Sequence, residues 1–295
     1  MTSALPSREA RVPHWTDVDW GPSIANRLVN NLRVRYLDHG SGSAVVLLHG
    51  FAASWHWWLE NIPALARHHR VIAVDLPGFG NSEPLPAPAE MATQAHTVLA
   101  LLAQLDIESA TVSGHSMGGL VALEMYAADP ERVRNLILVD AGGAPMPERR
   151  LAVIMVALRI CVAILRRPLV RRALATKPWV RRVALGAAFR DTRAMSQELA
   201  GRTMPVFGGP GSVDAVGAAG RSVRATVPES ITCPVLLVWG ERDVIVSPRS
   251  ARQMHDRLPD SELVVLASSG HSPMIEFPDR FNELALKFMA ARSGV

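Results

Sequence analysis

The chain has 295 residues, 48% of them apolar, and a formal net charge of +4 carried almost wholly by arginine. That length suits one large α/β domain with an insertion and is long for a single simple core. Two cysteines in distant segments, Cys161 and Cys233, exclude a disulfide framework and fit free thiols in a reducing compartment, and no window approaches the ~20 uninterrupted apolar residues of a membrane span.

The N-terminus has no apolar leader core, so cytoplasmic residence is expected. Residues 1–22 lack periodicity and read as an irregular arm. Two short runs, 23–29 and 32–38, flank Asn30-Asn31, a pair that tolerates φ > 0 and suits a tight hairpin. Residues 44–49, Ala-Val-Val-Leu-Leu-His, are a continuous apolar run up to the histidine, as in a strand buried on both faces. Helical spacing follows over 55–68, then a second buried strand over 70–76 and a helix over 91–105. Residues 110–116 are a third such strand and 117–128 a helix. Further strands fall at 135–141, 234–240 and 261–267, and a closing helix at 277–291. Strand alternating with helix predicts an α/β fold with a mostly parallel, eight-stranded sheet covered on both sides. Ligands of such sheets bind at the carboxyl ends of the strands.

The alternation breaks between about 142 and 228. There the chain is helical in pattern, with 151–165 apolar nearly all round, followed by basic pairs at Arg166-Arg167, Arg171-Arg172 and Arg181-Arg182. A glycine-rich loop, Phe207-Gly208-Gly209-Pro210-Gly211, comes later. This stretch is expected to cap the strand ends. The chain then divides into a first core part at 1–141, a cap at 142–230 and a second core part at 231–295.

Gly114-His115-Ser116-Met117-Gly118 joins the third buried strand to a helix, which is the context that gives a G-x-S-x-G pattern its meaning. Small neighbours let strand and helix close around a sharp turn that lifts the Ser116 hydroxyl clear of the backbone. A serine hydroxyl needs a base within hydrogen-bond reach. Of ten histidines, His271 lies directly after the last strand in Ser269-Gly270-His271-Ser272-Pro273, a fixed turn at the same sheet edge. His68 and His69 read as solvated, and His115 as pointing away from the site. The base needs a carboxylate, for which Asp243 in Gly240-Glu241-Arg242-Asp243 competes with Asp140 and Glu241. The order Ser116, Asp243, His271 favours Asp243. Two N–H groups must hold the oxyanion, and Met117 and Phe51, the latter in His49-Gly50-Phe51, are placed to supply them. Trp55, Trp57, Trp58 and Met155 are candidate pocket walls, with core packing as the blander reading of each.

These motifs, together with Asp75-Leu76-Pro77-Gly78-Phe79-Gly80, resemble the α/β-hydrolase superfamily, in its esterase, lipase and lactonase branch with a helical cap. The resemblance covers about 23–141 and 231–291 and implies a serine hydrolase acting on a carboxylic ester of a largely apolar small molecule, with no cofactor. Haloalkane dehalogenases and epoxide hydrolases of the superfamily carry aspartate where Ser116 stands. Its C–C bond hydrolases often have asparagine where His115 stands. Lactonase, thioesterase and C–C hydrolase remain as rival enzymes, and a ligand-binding receptor or a cofactor-free cyclase as rivals of other classes. No metal-ligand cluster and no nucleic-acid signature is found. Between Glu148 and Arg182 ten basic residues stand against one acidic one. Two outcomes fit this pattern: a solvated lid, or a cap that docks reversibly on an anionic membrane surface.

Overall fold

A computed structural model of the chain describes residues 12–86, 90–142, 148–212, 215 and 230–292. The sheet has eight strands: β1 (Ile24–Val29), β2 (Leu32–Gly40), β3 (Ala44–Leu48), β4 (Arg70–Val74), β5 (Ala110–His115), β6 (Val133–Val139), β7 (Val235–Gly240) and β8 (Ser261–Leu266). They lie in the order β1-β2-β4-β3-β5-β6-β7-β8. The pairs β1–β2 and β2–β4 are antiparallel and all others parallel. Asn30 and Asn31 both take positive φ at the β1–β2 turn, which matches the twist of a two-residue hairpin.

The continuous apolar runs are buried on both sides. Alternate residues feed two cores: Val46 and Leu48 point to one, Val45 and Leu47 to the other. The first core is closed by α2 (Met91–Gln104) and α3 (Met117–Ala128), the second by α10 (Pro278–Ala291). β8 departs from expectation. It is an edge strand with β7 as its sheet neighbour, and most of its side chains are half-exposed.

The helix expected over 55–68 is broken. It is a 3-10 turn at Trp55–Trp58 followed by the single-turn α1 (Ile62–Leu65). Pro63 has no N–H to donate back, and its ring excludes the preceding carbonyl, so a helix can begin there but not run through. The buried Asn61 side chain instead reaches across to the Met274 carbonyl and Asn282. The N-terminal arm, where described, is irregular but anchored: Trp15 and Trp20 are buried in the second core. The remainder of that arm, 1–11, lies outside the described residues.

Between β6 and β7 the chain leaves the sheet and returns to the adjacent position, with Leu136 beside Val235. The described part of this excursion holds α4 (Glu148–Leu165), α5 (Pro168–Thr176), α6 (Pro178–Ala184) and α7 (Gln197–Thr203), and no strand among the described residues. Val162, Leu165, Leu174, Leu199 and Phe207 join the second core, so these helices share apolar burial with the body. The expected end of the cap near 230 follows residues 216–229, which lie outside the described residues. The glycine-rich loop docks on the body: Gly208 N–H donates to the Ala52 carbonyl and Gly211 N–H to the Gly78 carbonyl. Two short helices complete the body, α8 (Pro248–His255) and α9 (Pro273–Glu276). No helix among the described residues is long and apolar enough to cross a membrane.

Candidate active site

Ser116 sits between β5 and α3 with φ 52° and ψ −114°, a conformation that L-residues rarely adopt. The surroundings hold it there. Its N–H donates to the Val139 carbonyl, and its own carbonyl accepts from Gly119 and Gly142. A Cβ on Gly114 would run into the Gly118 carbonyl, and one on Gly118 would meet the Leu48 carbonyl. Strand and helix can close on the serine only because both positions are bare.

His271 follows β8 and brings Nε2 to 2.9 Å from Ser116 Oγ. Its Nδ1 lies 2.7 Å from Asp243 Oδ2. Asp243 follows β7, and its other oxygen accepts from the N–H groups of Ile245 at 2.7 Å and Val246 at 2.9 Å. The predicted serine, histidine and aspartate therefore form one hydrogen-bonded line across the carboxyl ends of β5, β7 and β8. Glu241 takes no part. It is exposed and accepts from the Ser268 N–H.

Asp140, the nearer competitor, is fully buried beside this line. One of its oxygens accepts from Gly240 N–H at 2.9 Å. The other has no donor among the described residues. Burial holds its carboxyl well above the ordinary carboxylate range, and the adjacent Asp243 charge adds to that. Burial also acts to raise Asp243. The His271 contact, with the Val246 N–H, outweighs it, and Asp243 lies below its ordinary value. Ligand atoms of Asp140, Asp243 and His271 fall within 4.8 Å of one another. At 2.7 Å, however, Asp243 and His271 are hydrogen-bonded to each other and leave no gap for an ion.

His115 does not point away as expected. Its Nε2–H donates to the His271 carbonyl at 2.7 Å, and the two rings lie 5.0 Å apart. Burial, then the nearby His271, lowers its pKa to about 3, so it is a neutral prop beneath the His271 loop. A Cβ on Gly50 would come within 2.6 Å of the His115 ring, which fixes a glycine before Phe51. Glu276, unremarked in the sequence, secures the same loop. It accepts from Gly270 N–H at 2.6 Å and Ser269 Oγ at 3.2 Å, and its other oxygen accepts from Asp191 N–H at 2.8 Å in the helical segment between β6 and β7. His69 is buried against Ser43 rather than solvated. The Asp75 turn is structural, its carboxylate accepting from Trp55 and Asn81 N–H groups.

A cavity of about 160 Å³ opens onto Ser116 and His271. Phe51, Trp57 and Ile245 of the body line it, with Leu158, Val162 and Leu165 of α4 and Phe207 of the glycine-rich loop. Trp55, Trp58 and Met155 are not among its walls; the two tryptophans are core. Neither Phe51 N–H nor Met117 N–H donates to another described residue. The latter opens a helix, where the N–H has no partner within the helix. The arrangement can move a proton from Ser116 to His271 and can offer N–H groups to an anion.

A family model described as alpha/beta hydrolase fold matches residues 43–196, and one described as TAP-like protein matches 215–282. An uncharacterized protein of Mycobacterium bovis is 32% identical over 91% of this chain and 81% of its own length. A pimeloyl-[acyl-carrier protein] methyl ester esterase of Aeromonas hydrophila is 32% identical over 85% of this chain and 96% of its own. The crystal structure of a membrane phospholipase A, described as a bacterial virulence factor, superposes with a TM-score of 0.69 at 26% identity, covering 92% of this chain and 87% of that one. With a matching model over half its length, a sheet of the corresponding order and a serine held at the β5–α3 turn, the chain belongs to the alpha/beta hydrolase family.

Proposed function

We propose that the protein is a serine hydrolase of carboxylic esters whose bound acyl or alcohol group is small and apolar. The observation that carries this reading is the unbroken line from Ser116 Oγ through His271 to Asp243, at 2.9 and 2.7 Å, on the floor of an apolar cavity. Ser116 Oγ attacks the ester carbonyl carbon as His271 Nε2 takes its proton. The N–H groups of Phe51 and Met117 receive the charge that develops on the carbonyl oxygen. His271 then gives its proton to the leaving alkoxide, and an acyl-Ser116 remains. Water follows the same course: its proton goes to His271, its oxygen attacks the acyl carbon, and Ser116 leaves with the proton. Asp243 stays ionised throughout, fixes the His271 tautomer and stabilises the imidazolium.

The cavity volume supports a small buried group, being well below the roughly 300–1,000 Å³ of sites that enclose drug-sized ligands. A relative named as a methyl ester esterase supports an ester as the bond cleaved. Ser116→Ala is expected to remove fluorophosphonate labelling and to lower ester turnover by several orders of magnitude, on the order of 10⁴–10⁶. Purified enzyme profiled against p-nitrophenyl esters of graded length, lactones and thioesters should favour short esters. Labelling that persists in Ser116→Ala, or turnover confined to lactones or thioesters, would overturn the proposal.

A further inference from the structure

Helix α4 has two apolar faces. At about 100° per residue, Leu158, Cys161, Val162 and Leu165 share one side, and that side lines the cavity. Val153, Val156, Ile160 and Ile164 share the opposite side and are 49–69% exposed. An amphipathic surface helix carries charge there instead. The next two helices continue the anomaly: Leu169 on α5 and Val183 on α6 are 80% exposed, and Trp179 69%. Large exposed apolar side chains are otherwise few and scattered among the described residues, as at Val12 and Leu28. Concentration of this kind marks an interaction surface.

The charge of the same segment selects the partner. Residues 148–182 hold ten basic residues and one acidic, a net of +9 in a chain whose total is +4, so the remainder is at −5. Arg159, Arg166, Arg167, Arg172 and Arg182 are all exposed. Two cations serve the fold instead. Arg181 is buried and donates to the carbonyls of Leu174 and Ala175 at the end of α5, and Arg171 donates to the Pro205 carbonyl. A second copy docked through this face would set +9 against +9. Nucleic acid would find the charge but no use for a stripe of valine and isoleucine, which neither stack nor hydrogen-bond. An anionic bilayer takes both features: aliphatic side chains enter the acyl boundary, and guanidinium groups remain among the headgroups. Long arginine stems beside the stripe permit that division.

We propose that α4, α5 and α6 dock the protein reversibly on an anionic phospholipid surface. The orientation follows from the charge asymmetry, with the basic cap toward the lipid and the acidic remainder away. The cavity then lies about one helix diameter, roughly 10–12 Å, from the bilayer. Docking depends on the cap surface and not on which bond the site cleaves.

The test is sedimentation of the full chain with vesicles of phosphatidylglycerol and phosphatidylcholine, and with phosphatidylcholine alone. Binding is expected to the mixed vesicles at low salt, and release at about 1 M salt, where the Debye length falls to roughly 3 Å. The variant with Arg166, Arg167, Arg172 and Arg182 each changed to Gln should lose roughly tenfold or more of its bound-to-free ratio. Val156→Ser with Ile160→Ser should weaken binding while leaving its salt dependence. Turnover of a soluble short ester, without vesicles, should be unchanged in both variants; it reports the integrity of the site separately from docking. Absence of binding to the mixed vesicles at low salt would overturn the proposal, as would equal binding to neutral vesicles. So would sedimentation equilibrium showing a dimer that the Val156→Ser, Ile160→Ser variant dissolves.

Discussion

Two buried aspartates lie side by side in this site, and their surroundings shift the two carboxyls in opposite directions. Asp243 accepts from three donors: two N–H groups on Oδ1 and the His271 ring on Oδ2. In Asp243→Asn the amide oxygen must still face the Ile245 and Val246 N–H groups. Its NH₂ is then turned toward His271 Nδ1, which can accept that bond only when unprotonated. The ring proton moves to Nε2, and Nε2 can no longer take the proton of Ser116. Trapping the wrong tautomer in such a triad costs about 10⁴ in kcat, or about 5.5 kcal/mol of transition-state stabilisation. Asp140, whose carboxyl is held by burial well above the ordinary range, accepts from Gly240 N–H through one oxygen. Asp140→Asn keeps the bond accepted from Gly240 N–H and makes no hydrogen bond with His271, so the loss is that of one altered hydrogen bond at most, about 1 kcal/mol or fivefold in rate. Steady-state kcat and KM on a soluble ester, with near-ultraviolet circular dichroism to verify folding, measure both. Equal losses in the two variants, or a larger loss in Asp140→Asn, would refute the assignment and move the working carboxylate to the end of β6.

Glu276→Gln should present an amide where Glu276 now accepts from Gly270, Ser269 and Asp191. At this half-buried position a donor left unsatisfied costs about 1–3 kcal/mol at most, so in a chain of this length Tm should fall by roughly 2–5 °C. kcat should fall with KM little changed, because the loop that carries His271 loosens; an unaltered Tm would discount the clamp. A second expectation concerns acid stability. Burial lowers His115 to about 3 and His49 to about 4. Unfolded, each takes up a proton near pH 6.5, so the unfolded chain binds more protons below that pH, and stability is lost as pH falls from 6.5 toward 4. Each contributes about 1.4 kcal/mol per pH unit in that window. Urea unfolding of His115→Asn should therefore show a pH dependence shallower than wild type by about that slope; parallel curves would contradict a neutral buried His115.

The parts of the fold and site that were legible in the sequence share one physical origin. The inner strands are buried on both faces, and their apolar runs cannot be mistaken for half-exposed segments. β8 imitated them in composition and proved an edge strand, because an apolar run records hydrophobicity and not how many neighbours the strand has. The turn at Ser116 was legible because its conformation excludes all but small flanking residues, and the glycines are printed in the chain. The break after Trp58 follows from Pro63, whose missing N–H lets a helix begin there but not run through, although the apolar residues around it keep a helical spacing.

What stayed hidden depended on distance through space. Nothing near Glu276 in sequence says that its partners come from the His271 loop and from the helical segment between β6 and β7. Nothing near His115 says that the main-chain carbonyl of a residue 156 positions later accepts a hydrogen bond from its Nε2–H. The two faces of α4 were hidden for a different reason. A helix apolar nearly all round is expected to be enclosed, and the apolar pattern alone permits that reading. Only the cavity on one side and the exposed stripe on the other show that its two apolar faces meet different surroundings. The arginines between and beyond them decide which surrounding the outer face fits. Val156 and Ile160 gain nothing from water, and the basic side chains around them gain most where phosphate is dense. A surface that satisfies one set and not the other, such as a neutral bilayer or a polyanion without an apolar layer, would leave half of this helix unexplained.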